Sequence, residues 1–146
     1  LCMQNLEWER MMMALGSVVA CDRLLAQAID YTSTRQAFGR PVSKFQTTRH
    51  LLANLATETE AARALCYATL WRLHKGENVT KEASMCKVFA CELANRVADR
   101  CLQLHGGYGY MMEYDVQRSW RDLRLNTIGG GTTEIMLEII SKLMGL

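Results

Sequence analysis

The sequence predicts an all-α protein, an antiparallel (up-down-up-down) four-helix bundle with a short extra helix before the last helix. Three observations predict this fold. Apolar residues recur at helical spacing over three long segments. The β-branched residues form no alternating runs, and the 146 residues include a single proline, Pro41. Three rods of similar length joined by short loops, followed by a shorter fourth rod, are typical of such a bundle.

Each helix is bounded by recognisable start and stop signals. The first is predicted from about Asn5, as its N-cap, to Thr34, and the second runs from about Thr47 to His74 after a turn. The third spans Thr80 to about His105, where glycines end it. A short helix is expected near Val116–Leu123, and a final one over Glu134–Met144. The predicted core stripes include Val19 and Leu24 on the first helix, Leu55 and Cys66 on the second, and Met85, Val88, Phe89, Leu93 and Val97 on the third.

Composition and charge are those of one ordered domain, residues 1–146, and they exclude several function classes. Hydrophobic residues make up 49% and charged residues 22% of the chain, which argues against a disordered tail. The net charge of +2, without a clustered basic stripe, gives no case for nucleic-acid binding. No apolar run is expected to reach the ~18 residues of a membrane span. The opening Leu1-Cys2-Met3 resembles the interior of a longer protein, so a fragment or excised domain is expected.

The six cysteines favour buried thiols over a metal centre. No two of them have CxxC spacing, so the sequence predicts no metal site. They lie among Ala, Leu and Val in helical patterns, where cysteine behaves as a small hydrophobic residue. A disulfide framework is the alternative.

Two glycine-rich breaks and one turn are candidates for ligand binding. The breaks are 103–110 and 128–135, and their glycines allow backbone N–H groups to approach a ligand closely. The second break opens a helix, which favours an anion such as a pyrophosphate. Neither break matches GxGxxG or the P-loop. Arg35 and Phe38, in a turn after a long helix, suit phosphate or ring binding.

Taken together, these motifs resemble the acyl-CoA dehydrogenases. Three groups of residues occur in the family's order and at its separations. They are Arg35-Gln36-Ala37-Phe38-Gly39-Arg40-Pro41 with Phe45-Gln46, then Gln103-Leu104-His105-Gly106-Gly107-Tyr108-Gly109-Tyr110, and then Arg121-Asp122 with Ile128-Gly129-Gly130-Gly131-Thr132-Thr133-Glu134-Ile135. The resemblance covers nearly the whole chain and is to the C-terminal helical bundle of the family. It implies that the family's N-terminal helical domain and middle β-domain are absent.

The resemblance implies α,β-dehydrogenation of an acyl-CoA thioester. A carboxylate removes the α-proton and the β-hydride passes to the flavin of FAD, which requires the carboxylate to be close and desolvated. Many members carry this Glu in the last glycine loop, but the matching position here is Gly130. A minority, similar to the isovaleryl- and long-chain enzymes, carries it on the first helix of this domain, and Glu9 matches that place. Without the resemblance, Glu9 would be interpreted as a first-turn carboxylate that stabilises the helix dipole.

Further roles follow from the resemblance by position. FAD contacts are implied for Arg35, Phe38, Gln46, Gln103, Leu104, His105, Gly106, Gly107, Thr132 and Glu134. Substrate contacts are implied for Glu7, Arg10, Tyr31, Gly129 and Gly130, the last also through an N–H that polarises the thioester carbonyl. Glu134 departs from the Gln of some relatives, and an acid near a diphosphate is unfavourable unless it contacts ribose or an amine.

The resemblance also implies partners and location. FAD is shared across a homodimer, dimers pair into a homotetramer, and an electron-transfer flavoprotein accepts the electrons of this step in fatty acid metabolism. A bacterial cytoplasm and a mitochondrial matrix both suit reduced cysteines. Two alternatives stay open: a catalytically inactive oligomerisation or interaction bundle of the same fold, and an acyl-CoA oxidase.

Overall fold

The structure, a computed structural model, describes the backbone of residues 2–146 and the side chains from Leu6 onward. Its elements, in chain order, are α1 (Cys2–Thr34), β1 (Gln36–Ala37), β2 (Arg40–Pro41), α2 (Gln46–His74), α3 (Thr80–His105), α4 (Asp115–Leu123) and α5 (Thr133–Leu143). Short 3-10 turns precede α2 and follow α3 and α4. The predicted helices are confirmed to within a few residues. Because α1 begins at Cys2, Asn5 lies inside the helix rather than at its N-cap, and its side chain lies outside the described residues.

The relative directions of α1 and α3 follow from their side-chain contacts. The Ser17 hydroxyl on α1 donates to the Cys91 sulfur on α3 at 3.5 Å. Farther along both helices, the Tyr31 hydroxyl donates to the carbonyl of His105 at 3.2 Å. Both contacts are between residues 74 positions apart, so the two helices run parallel and in register.

The second helix runs antiparallel to α3. Thr69 near the end of α2 contacts Cys86 near the start of α3, with 3.3 Å between oxygen and sulfur. Glu58, earlier on α2, forms an ion pair with Arg96, later on α3.

The last helix also runs antiparallel to α3. Thr133 at the start of α5 donates to the Glu92 carboxylate in the middle of α3 at 2.7 Å. Lys142, near the end of α5, lines a cavity together with Thr80 at the start of α3. The directions of the four long helices therefore confirm the predicted antiparallel four-helix bundle, with α4 as the extra short helix.

The core follows small side chains more closely than the predicted stripes. On α1, Val18 is buried whereas Val19 is 64% exposed, and on α3 Ala90 is buried whereas Phe89 is 39% exposed. Close approach of the helix axes favours the short Ala90 over Phe89 at the contact, whereas Val18 and Val19 are equal in size and differ only in which face of α1 they occupy. The predicted stripe is thus displaced by one residue in these two places. Leu24, Leu55, Cys66, Leu93 and Val97 are buried as predicted.

One helix qualifies the expectation that no apolar run is long enough for a membrane span. Residues Leu6–Thr34 of α1 are long and apolar enough to cross a membrane by length and composition. This is weak evidence for a span, because the central helix of a soluble bundle passes the same test. Met11, Ala14, Cys21 and Ala28 of this helix are fully buried in the bundle core.

The described cysteines are buried free thiols, as predicted. Cys21, Cys66, Cys86, Cys91 and Cys101 form no disulfide, and Cys2 lies outside the residues whose side chains are described. Burial raises the pKa of Cys21 and of Cys101 to about 12, so both thiols stay protonated at neutral pH.

Candidate active site

The triple-glycine turn packs directly on α1. Gly130 and Gly131 have φ values of +64° and +104°, a conformation that favours glycine. A Cβ atom at Gly130 would lie 2.8 Å from the Met13 sulfur, and one at Gly129 would lie 3.5 Å from the Met13 methyl group. The turn therefore touches α1 through Met13 and leaves no room for a side chain at position 130.

Glu9 lies one helical turn before Met13 on the same face of α1. Residues four apart on a helix are neighbours about 5–6 Å apart, and helical side chains lean toward the N-terminus, so Met13 reaches back over the turn that carries Glu9. The Glu9 side chain is exposed in this chain. The predicted base is therefore one helical turn from the residue that touches the glycine turn, and in this chain it faces solvent.

The other predicted substrate residues on α1 are held within the bundle. Glu7 accepts a short hydrogen bond from the Thr80 hydroxyl at the start of α3. Arg10 is 8% exposed, and its Nε atom is buried without a hydrogen-bond partner among the residues that the structure describes. Both residues line a cavity of about 360 Å³ between α1 and α5 that is otherwise largely apolar. The guanidinium of Arg10 thus keeps an unused donor at the edge of the candidate site.

Lys87, which the sequence reasoning missed, lies under the glycine turn. Its side chain is 1% exposed, and its ammonium donates to the carbonyl of Asn126 at 3.1 Å and of Gly131 at 2.5 Å. Desolvation lowers the pKa of Lys87, and the nearby Arg10 cation acts in the same direction. A lone lysine on a helix is ordinarily solvated, so its surroundings cannot be inferred without knowing which face of α3 is buried.

A second hydrogen-bond network connects the same turn to α1. The Asn126 side-chain amide donates to the Ser17 hydroxyl at 3.0 Å, and Ser17 in turn contacts Cys91. Asn95 on α3 donates to the carbonyl of Leu123 at 3.1 Å, at the end of α4. The segment between α4 and α5 is therefore fixed by side chains of α1 and α3.

Tyr31 belongs to a second cluster, at the far end of α1. Its ring stacks on His105 with 4.3 Å between centroids, and the His105 Nδ1 lies 2.7 Å from the carbonyl of Cys101. At ~1.5 Å per residue, Tyr31 is about 33 Å along the helix from Glu9. The structure therefore does not bring Tyr31 together with Glu7 and Arg10, although the three were grouped as substrate contacts.

This second cluster gathers most of the residues implied for FAD. The Arg35 guanidinium lies 5.5 Å from the Tyr108 ring centroid, beside the break after α3. Apart from their own chain neighbours, no described residue comes within 4 Å of a Cβ position at Gly106 or Gly107, and both glycines are exposed, so a ligand can approach their backbone. A cavity of about 500 Å³ is lined here by Tyr31, Arg35, Val42, Gln103, Leu104, His105, Gly106, Gly107, Tyr108 and Met111.

Phe38 and Gln46 lie outside this cavity. Phe38 and Gly39 form the two-residue turn of the β1–β2 hairpin, with φ values of +51° and +78°. A phenylalanine in the left-handed region is rare, and its side chain is 97% exposed. Gln46 is also exposed, at the start of α2. The hairpin thus presents an aromatic side chain to solvent, where another chain or ligand can reach it.

Thr132 and Glu134 form the start of α5. Thr132 is the N-cap, and its hydroxyl accepts from the Ile135 N–H at 3.4 Å. The pKa of Glu134 is lowered, first by a hydrogen bond from its own backbone N–H and then by the Thr132 hydroxyl. Both residues line a polar cavity of about 380 Å³ that also includes Arg124. A charged carboxylate at this end of the helix does not suit a diphosphate.

The predicted site residues therefore form two separate groups. The glycine turn is held by Lys87, whereas the Arg35 cavity reaches α3 at His105, about 27 Å farther along that helix. One copy of the chain does not bring both groups to a single small site.

Comparisons of the sequence and the fold with known proteins identify the family of this chain. The family described as acyl-CoA dehydrogenase, C-terminal domain, matches residues 1–145. The chain is 41% identical to the mitochondrial long-chain specific acyl-CoA dehydrogenase of Rattus norvegicus, over 96% of this chain and 33% of that protein. It is 37% identical to the caffeyl-CoA reductase-Etf complex subunit CarC of Acetobacterium woodii, over 97% of this chain and 38% of that protein.

A solved structure matches equally well. The crystal structure of an acyl-CoA dehydrogenase from Geobacillus kaustophilus superposes with a TM-score of 0.97 at 37% identity, over 99% of this chain and 38% of that one. The chain thus spans 33–38% of the length of these relatives. With a match over all but its last residue, this chain belongs to the acyl-CoA dehydrogenase family, to which it corresponds as the C-terminal domain.

Proposed function

We propose that this chain acts as the C-terminal domain of an FAD-dependent acyl-CoA dehydrogenase and that Glu9 is the base that removes the α-proton. In this proposal an N-terminal helical domain and a middle β-domain precede it in a longer polypeptide, called the full-length protein below. The share of the relatives that the chain spans supports this arrangement.

The observation that carries the proposal is the contact between the glycine turn and α1. Gly130 bears no carboxylate, and the Met13 sulfur lies 2.8 Å from where its Cβ would be, so the turn of this chain carries no base at that position. Glu9 is one helical turn away on the same face, which places a carboxylate beside the turn from the other side. Since Glu9 is exposed here, the surfaces that desolvate it belong to other parts of the full-length protein or to the substrate.

The second cluster has the chemistry that FAD requires. Arg35 supplies a planar cation for a diphosphate, Tyr108 and the exposed Phe38 supply ring surfaces, and the open backbone at Gly106 and Gly107 allows close approach. When bound, FAD accepts the hydride from the β-carbon. Thr132 and Glu134 fit the ribose end of the cofactor better than its phosphates, because Glu134 carries a negative charge.

The separation of the two groups supports a shared cofactor. Glu9 of one copy and the Arg35 cavity of a second copy serve the same FAD in this proposal, which makes the protein a homodimer, with two dimers in a homotetramer. An electron-transfer flavoprotein is the proposed acceptor, and the relative CarC is a subunit of a complex with such a protein by its name. The relatives include mitochondrial and bacterial proteins, so a mitochondrial matrix or bacterial cytoplasm is the proposed location.

The test uses the full-length protein with its FAD and a panel of acyl-CoA thioesters. Wild-type protein is expected to lose its flavin absorbance anaerobically on mixing with an acyl-CoA. Glu9→Gln is expected to retain FAD and to lower the rate of this bleaching by at least about a hundredfold, because the α-proton has no acceptor. Glu60→Gln, an exposed carboxylate on α2, is the control and should bleach at the wild-type rate.

Three outcomes would contradict the proposal. Normal bleaching in Glu9→Gln would exclude Glu9 as the base. A wild-type protein that holds no FAD would favour the inactive interaction bundle, whereas rapid oxygen uptake after reduction would favour an acyl-CoA oxidase.

A further inference from the structure

We propose that Lys87 is a positioning residue that fixes the triple-glycine turn, Gly129–Gly131, against α1 during proton abstraction. This inference rests on the proposed function, since it concerns the geometry between the turn and Glu9.

The ammonium of Lys87 binds the backbone both before the turn and at its end. One of its acceptors is the carbonyl of Asn126, which precedes the glycines in the chain. The other is the carbonyl of Gly131, the last residue of the turn. The Cε atom lies 3.6 Å from a Cβ position at Gly130, so the lysine stem packs under the middle of the turn. A single side chain therefore spans the whole turn.

Such a lysine needs a physical reason for its burial. Lysine is almost never fully buried without a partner, because removing its charge from water is costly. Among the residues that the structure describes, no carboxylate forms an ion pair with Lys87, and its two hydrogen-bond acceptors are backbone carbonyls. A neighbouring cation, Arg10, makes the burial less favourable still. Methionine would fill a similar volume without this penalty, so the hydrogen bonds to the turn are the gain that is specific to lysine.

The turn has few means of fixing itself. Three successive glycines lose more conformational freedom on ordering than other residues and contribute no side chain to packing. Met13 and the stem of Lys87 both pack against the Cβ position of Gly130, and the Lys87 ammonium binds the Gly131 carbonyl. Since Glu9 lies on the same face of α1 as Met13, the position of the turn relative to α1 sets the space between the base and whatever binds against the Gly130 backbone.

A small displacement of this kind affects the reaction more than binding. Misplacement of reacting groups by about 1 Å lowers a rate by about a hundredfold. Removal of the ammonium is therefore expected to reduce kcat, whereas binding of CoA and FAD is expected to be largely retained, because Lys87 lines neither the Arg35 cavity nor the cavity beside Arg10.

The experiment compares Lys87→Met, Lys87→Arg and Val97→Ala in the full-length protein loaded with FAD. Val97 is fully buried on the same helix and outside the candidate site. Its truncation to alanine therefore serves as a control that destabilises the bundle core without changing a contact of the turn. Lys87→Met is expected to lower kcat by about a hundredfold with KM and FAD content within about twofold of wild type. Lys87→Arg keeps donors for the two carbonyls, so its kcat is expected to be at least about a tenth of the wild-type kcat. Val97→Ala should lower Tm and leave kcat unchanged.

A second readout does not depend on activity. Amide hydrogen exchange in residues 126–132 is expected to be at least about tenfold faster in Lys87→Met than in wild type or Val97→Ala, because the turn has lost its anchor. Lys87→Gln, with a shorter amide donor, replaces Lys87→Met if that variant is insoluble, and a tenfold or larger loss of kcat at unchanged KM is expected for it.

The inference fails if Lys87→Met, or Lys87→Gln in its place, shows the kcat and the exchange rates of Val97→Ala. That outcome leaves the proposed function standing. A wild-type protein that no acyl-CoA reduces would instead overturn the proposed function, and the exchange measurement would still report whether Lys87 anchors the turn.

Discussion

Alanine at Gly130 tests whether Met13 and the glycine turn exclude a side chain. Gly130 has a φ of +64°, and a left-handed conformation costs a non-glycine residue about 1–2 kcal/mol. The added Cβ would also approach the Met13 sulfur to 2.8 Å, and overpacking of this kind costs about 1–3 kcal/mol. Gly130→Ala is therefore expected to lower the free energy of unfolding by about 2–5 kcal/mol.

The two contributions are separated by a double-mutant cycle. Met13→Ala removes the clashing sulfur, so in that background Gly130→Ala should retain only the backbone part, and the coupling free energy should be about 1–3 kcal/mol. Gly129→Ala is the matched control. Its Cβ would make an ordinary 3.5 Å contact with Met13, and Gly129 has no positive φ, so a change within about 1 kcal/mol is expected there.

The assay is urea unfolding of the chain followed by far-UV circular dichroism. With a slope of about 1–3 kcal/mol/M, the predicted loss for Gly130→Ala moves the midpoint by about 1 M or more. Equal midpoints for the Gly129→Ala and Gly130→Ala variants, or a coupling free energy near zero, would refute the reasoning. The argument that the turn cannot carry the base would then lose its steric support.

Two further predictions concern the start of α5 and the core thiols. The lowered pKa of Glu134 means that its ionised form stabilises the folded state above the unfolded pKa of 4.5, and that this contribution is lost as the pH falls through the lower folded value. The Tm difference between wild type and Glu134→Gln should therefore be largest near pH 7 and shrink as the pH falls below 4.5, and a difference that does not shrink with falling pH would contradict this. Cys21, Cys66, Cys86, Cys91 and Cys101 are expected to react with a thiol reagent only after unfolding, because they are buried. Rapid modification of several thiols in the native chain would show that the core is more open than the structure has it.

The helices could be predicted well because their signals are local. Helix α3 begins at Thr80 and ends at His105 in both the prediction and the structure. Each end has its signal in the adjacent sequence: a polar residue at the start and glycines directly after the end. The buried faces were less predictable. Whether Val18 or Val19, or Phe89 or Ala90, enters the core depends on how closely neighbouring helices approach, which a single helix does not encode.

The candidate site divides in the same way. The family resemblance implied FAD contacts for Arg35 and for 103–107 separately, the latter to the FAD of a neighbouring subunit, and the structure brings these residues to one cavity. The role of Lys87 was not anticipated, because it arises from a contact with the Gly131 carbonyl 44 residues later in the chain. Tyr31 was grouped by resemblance with Glu7 and Arg10, but the length of α1 places it with the other cluster.

The exposure of Glu9 is what connects the two clusters to an assembly. A base that abstracts a proton of low acidity works in a water-excluded site, yet this chain leaves the Glu9 carboxylate in solvent. The same chain leaves Phe38 almost fully exposed on a strained hairpin and Arg35 at the rim of an open cavity. Each cluster therefore has polar and aromatic groups that lack a cover, and the two lie too far apart to cover each other. Uncovered groups of this kind are what the proposed assembly requires, since in that proposal the surfaces that cover them belong to other domains and to a second copy around a flavin.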